Sequence, residues 1–71
     1  MILIVAKSRK DADQWAKEND LPRSHYRVAT SVAGVKGVHK DRTIAYMVYF
    51  IPAIEVELNK RGITVLWPKK T

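Results

Sequence analysis

Residues 43–50, Thr-Ile-Ala-Tyr-Met-Val-Tyr-Phe, constrain this chain more than any other stretch. They run into Ile51, Pro52, Ala53 and Ile54 without a charge. Both alternating sets of side chains are largely apolar: Ile44, Tyr46, Val48 and Phe50 on one, Ala45, Met47 and Tyr49 on the other. A strand that is apolar on both faces must be covered on both, which predicts an interior strand of a mainly parallel sheet. The aromatic residues from Tyr46 to Phe50 are therefore expected in the core, with the remaining elements packed around them.

The 71 residues are expected to form a single domain, 1–71. A chain of this size buries only about 60% of its unfolded surface, so the core is small. Cysteine is absent, which excludes disulfides and thiolate metal sites and favours a cytoplasmic protein. The apolar start at residues 2–6 is too short for a signal-peptide core, and no basic residue precedes it. The run 44–54 is about half the length of a bilayer span and carries a proline, so no membrane association is expected. Thirteen basic and seven acidic residues give a net charge of +6, which permits an anionic partner without choosing one.

Taken in order, residues 2–6 are apolar and rich in β-branched types, as in a short buried strand. Ser8 is placed as a helix N-cap, with Asp11 in the capping-box position. The helix is expected to reach about Asn19, with Ala12, Trp15, Ala16 and Asn19 on its buried stripe. Asp20, Leu21 and Pro22 stop it. After a linker at 23–25, residues 26–30 read as an edge strand, because Arg27 sits within it. Ser31 is placed to cap one helical turn over 32–35, with Gly34 and Gly37 as breakers. Pro52 takes the first position of a second helix and Gly62 its C-terminal stop. Glu55 and Glu57 lie early and Lys60 and Arg61 late, as the helix dipole favours. Glu57 and Arg61 are also spaced for an ion pair. Residues 63–67 form the last strand, closed by Pro68.

Strands alternating with helical patterns argue for an α/β fold with a parallel sheet. Right-handed crossovers favour a β-α-β-β-α-β chain with strand order 2-1-3-4 and one helix on each face. The alternative is an α+β fold in which strands two and three pair antiparallel.

In open α/β sheets, ligands bind beyond the carboxyl ends of the strands where their order reverses. Here that point lies between strands one and three, beside Lys7, Ser8, Arg9 and Lys10 and beside Phe50, Ile51 and Pro52. Three cations at a helix start make an anion site, although ordinary capping explains Ser8 without a ligand. No glycine follows the first strand, so phosphate-loop and dinucleotide fingerprints are absent. Gly34-Val35-Lys36-Gly37 matches the G-x-x-G loop of KH domains without their flanking helices, so a turn that needs glycine is the plainer reading. His25 and His39 are the only histidines and lack further ligands nearby, so no metal is expected. Asp11 with Asp13, and Glu55 with Glu57, are two apart on their helices and point to different faces, which leaves no paired acid and base. No cofactor and no enzymatic activity are expected. Trp67 lies on an edge strand next to Pro68 and two lysines. It reads either as an interface anchor or as packing under the second helix.

Two resemblances carry further expectations. Residues 2–17, with Ser8-Arg9-Lys10-Asp11-Ala12-Asp13 after an apolar strand, resemble the opening of the second motor domain of superfamily 2 helicases. The arginine motif of those motors is missing, so motor activity is not implied. Asp11-Ala12-Asp13-Gln14-Trp15-Ala16, Leu21-Pro22-Arg23-Ser24, Tyr26-Arg27-Val28 and the 34–37 turn are similar to small α/β accessory proteins encoded by phages of actinobacteria. That resemblance spans most of the chain through structural motifs. It implies a phage accessory protein acting on something in the host cytoplasm.

The expected function is thus a small non-enzymatic binding module that contacts a host protein, with Trp67 as the interface candidate. A homodimer through an edge strand is a second form of the same idea. The alternative is nucleic-acid binding through Lys7, Arg9, Lys10, Lys36, Lys40 and Arg42.

Overall fold

A computed structural model describes residues 1–38 and 42–68. The elements are β1 (Ile2–Val5), α1 (Arg9–Glu18), a 3₁₀ turn (Arg23–His25), β2 (Tyr26–Ala29), a second 3₁₀ turn (Val32–Val35), β3 (Ile44–Met47), α2 (Pro52–Lys60) and β4 (Thr64–Leu66). The strands form one four-stranded sheet ordered β2-β1-β3-β4, and every neighbouring pair is parallel. This is the α/β topology read from the sequence, and the antiparallel pairing of the second and third strands is not adopted. Register aligns Ile4 with Val28 on one side and Tyr46 on the other, and Tyr46 with Leu66.

Local chemistry explains where the elements start and stop. Ser8 is extended, and its Oγ accepts from the Asp11 backbone N–H at 3.2 Å, as an N-cap does. Helix α1 ends where Asp20 turns to a φ of +54° and the Leu21 N–H reaches the Ala16 carbonyl at 2.8 Å. Asn19, expected on the buried stripe, is exposed instead, and its side-chain amide donates to the Trp15 carbonyl at 2.8 Å. Pro52 opens α2, where its missing N–H would have had no partner within the helix. Gly62, at φ +72°, lets the chain leave α2, and Ile63 N–H closes onto the Leu58 carbonyl at 3.0 Å.

Side chains alternate between two faces of unequal cover. On the face under α2, Leu3, Val5, Ala29, Ala45 and Met47 pack with Ile54 and Leu58 of α2. Val35 and Val38, from the link between β2 and β3, complete that cluster. The second 3₁₀ turn thus fills the place beside α2 that a crossover helix would occupy. It approaches closely: a Cβ on Gly34 would lie 3.0 Å from Ala29 Cα, so glycine is what the contact admits. On the other face, Ala12 and Ala16 of α1 pack on Ile4 and Ala6, flanked by Ile2, Tyr26 and Val28. The two helices therefore lie on opposite faces.

The central strand departs from expectation in its length and its cover. It ends at Met47, where the chain bends and both Val48 and Tyr49 donate to the Val5 carbonyl, at 2.9 and 3.1 Å. Met47 is buried and Tyr46 half-buried, but Tyr49 and Phe50 are about half exposed, at 50% and 49%. They are not core residues. An uncharged run signals that water is unwelcome, but the bend after Met47 takes Tyr49 and Phe50 out of the strand and leaves them half exposed.

Candidate functional site

The uncovered part of the α1 face is the most distinctive surface among the described residues. Helix α1 shields β1 and β2 and leaves β3 and β4 open on that side. Ile44 and Leu66 point there and are 43% and 41% exposed. Trp67, just past β4, is 53% exposed. Its ring sits against Phe50 with centroids 5.6 Å apart and planes tilted by 40°. Trp67 is thus exposed rather than packed under α2.

An open groove of about 1250 Å³ runs along this face. Trp15, Glu18 and Leu21 form one wall, Tyr46 and Val48 the floor, and Tyr49, Phe50 and Trp67 the far end. Trp15 and Tyr46 are in contact where wall meets floor, with ring centroids 5.2 Å apart and planes tilted by 40°. Tilted aromatic pairs at such distances contribute beyond simple burial. The groove therefore has an exposed aromatic end. It is shallow and wide, unlike the enclosed pockets that bury most of a small ligand.

The basic residues that the sequence offers for anion binding are not gathered in one place. Lys7, Ser8, Arg9 and Lys10 follow the carboxyl end of β1. Arg42 precedes β3, where its carbonyl accepts from the Met1 amino group at the amino ends of the strands. Those two rims are roughly 13 Å apart, the length of a four-residue strand. Lys36 lies in the link between β2 and β3, and Lys40 lies outside the described residues, as does His39. Ser8 commits its hydroxyl to the Asp11 N–H, which is the ordinary capping role.

A second polar cluster joins α1 to β2. The Tyr26 hydroxyl donates to Asp13 Oδ1 at 2.6 Å, and Arg23 and Arg9 approach Asp13 Oδ2 at 3.5 and 4.0 Å. The hydrogen bond to Asp13 holds the Tyr26 phenol above its ordinary pKa, while the charges of Arg23 and Arg9 pull the other way. The geometry is that of a tie between two elements. Arg61 and Glu57 form the ion pair their spacing suggests, at 3.1 Å. Among the described residues no group of three His, Asp or Glu side chains is placed to hold a metal, and no helix is long and apolar enough to cross a membrane.

Sequence alone pointed to Trp67 but missed Ile44, Tyr49, Phe50 and Leu66 as surface. One signal was available: the narrow Ala12–Ala16 stripe of α1 is too slender to cover more than two strands. Comparison with protein-family models, with curated proteins and with solved structures gives no match.

Proposed function

We propose that this protein is a non-enzymatic binding module that docks another protein on the open half of its α1 face. The observation that carries the reading is the contiguous exposure of Phe50, Trp67, Leu66 and Ile44 over a sheet whose opposite side is sealed. Exposed apolar patches of this kind mark interaction sites, and Trp is enriched where binding energy concentrates. The Trp15–Tyr46 contact supports the same reading, because it places two aromatic rings along the groove, and aromatic residues are enriched at interfaces. The resemblance to small phage accessory proteins makes a host protein in the cytoplasm the first partner to seek.

Nucleic-acid binding takes second place. The net charge of +6 favours it, but Lys7, Arg9 and Lys10 lie at the rim opposite Arg42, whereas backbone tracking needs a continuous basic path. The test is a pair of pull-downs from actinobacterial lysate, one with the wild-type chain and one with Phe50→Ala/Trp67→Ala. The reading expects specific proteins captured by the first and lost from the second. Equal capture by both would contradict it. Salt-sensitive retardation of DNA or RNA by both chains at micromolar concentration would favour the second reading instead.

A further inference from the structure

We infer that the bare strip beside α1 receives an amphipathic helix of the partner, one that presents a Lys or Arg to Glu18. This rests on the reading that the open face docks a protein, and it names the shape and charge of what docks.

The groove runs the length of the strands. Ile2, Glu18, Asn19 and Leu21 line it at their amino ends, and Tyr49, Phe50 and Trp67 at their carboxyl ends. A four-residue strand is roughly 13 Å long, a length that about nine helical residues match. Across the strands, α1 covers β1 and β2 and leaves the width of β3 and β4 bare. Two strands present about the 10 Å breadth of one helix.

The floor decides between a helix and an extended segment. It is made of side chains, Tyr46 and Val48, with Ile44 and Leu66 on the same face. The N–H and C=O groups of β3 bond within the sheet, to β1 on one side and β4 on the other. An extended segment laid on this floor would set its own peptide groups against apolar surface, and such groups are costly to leave unpaired away from water. A helix pairs its peptide groups internally and offers a continuous apolar stripe.

Charge sets the flank of that helix. Glu18 is the only charged residue lining the groove. Among the described residues the ion pairs engage Asp13 and Glu57, while Glu18 stands exposed on the α1 wall. A Lys or Arg on the near flank of the incoming helix meets opposite charge, and an acid there meets like charge. A second copy has no such helix to give, because α1 already buries Ala12 and Ala16 and α2 already buries Ile54 and Leu58.

The experiment is selection of peptides from a random linear display library on the immobilised full chain, followed by synthesis of the best binder. The expected sequence has apolar residues at i, i+3, i+4 and i+7 with a Lys or Arg beside them. Isolated helices this short are marginal in water, so circular dichroism should show helix gained when peptide and protein are mixed. A proline at the centre of the peptide should weaken binding about tenfold or more. Surface ion pairs are modest, so Glu18→Lys should weaken binding about threefold or more, and exchanging the basic residue of the peptide for Glu should recover it. Lysine suits the last turn of a helix, so this variant keeps its fold. Failure to enrich any peptide, an extended or proline-rich binder, or indifference to Glu18→Lys would overturn the inference. If such a binder is still lost with Phe50→Ala/Trp67→Ala, the inference falls and the docking face stands. If that variant binds the selected peptide unchanged, both fall.

Discussion

On the α2 side of the sheet, Leu3, Val5, Ala45 and Met47 are sealed under Ile54 and Leu58, with Val35 and Val38 closing the remaining gap. On the α1 side, Ile4 and Ala6 are equally dry, yet Ile44 and Leu66, on the same face of the neighbouring strands, stand in water. The difference is one of width. Four strands about 4.8 Å apart place the outer axes about 14 Å apart, and a helix with its side chains is about 10 Å across. One helix covers roughly two strands. The α2 face has a helix and a 3₁₀ turn, so it closes. The α1 face has a helix alone, and the strip it leaves bare is lined with aromatics. A sealed face holds the fold, and the bare strip is where docking is proposed.

That contrast can be broken most forcefully from the sealed side. Leu58→Ala, at a fully buried position, should cost about 2–5 kcal/mol. Small domains are stable by only about 5–15 kcal/mol, so urea denaturation should show a sharply lowered midpoint or no cooperative transition. Gly34→Val should come next, at about 1–3 kcal/mol, because the new side chain meets the Ala29 backbone. A midpoint equal to wild type would mean that the 3₁₀ turn does not press on β2.

On the α1 side the effects should shrink. Tyr26→Phe removes the donor to Asp13 and should lower stability at pH 8. The folded phenol has a raised pKa, so its contribution is fully present below the unfolded value of about 10 and disappears as pH rises through the folded one. The gap between wild type and Tyr26→Phe in urea should therefore close at strongly alkaline pH. A gap independent of pH would show that the bond is not what the substitution removes. Smallest of all, Trp67→Ala should change stability by less than about 1 kcal/mol, since more than half of its surface is already exposed in the folded chain.

Much of the sealed half was legible in the sequence. The apolar run at residues 2–5, the Ser8 cap, the Pro52 start and the Gly62 stop each obey local rules, and together they narrowed the strand order to the one observed. The bare strip was harder to read, because Tyr49 and Phe50 look alike in sequence whether buried or waiting for a partner. What separates the cases is how many covering elements each face receives, and that depends on which side the chain crosses between β2 and β3. The short Ser31-to-Val35 segment carried that information, but its path over the sheet is a tertiary fact. Basic residues gave less still: they are spread through the sequence, and only strand direction reveals that Lys7 to Lys10 and Arg42 lie on opposite rims.

The most direct test of an unoccupied apolar strip reads Trp67 itself. In a Trp15→Phe chain, Trp67 is the only indole, and its emission and its quenching by acrylamide can be followed at low micromolar concentration. The account predicts the red-shifted emission and ready quenching of a half-exposed indole, both unchanged on dilution. A blue-shifted, protected Trp67 in the free protein would mean that something already covers the strip, and would contradict the division between a sealed face and an open one.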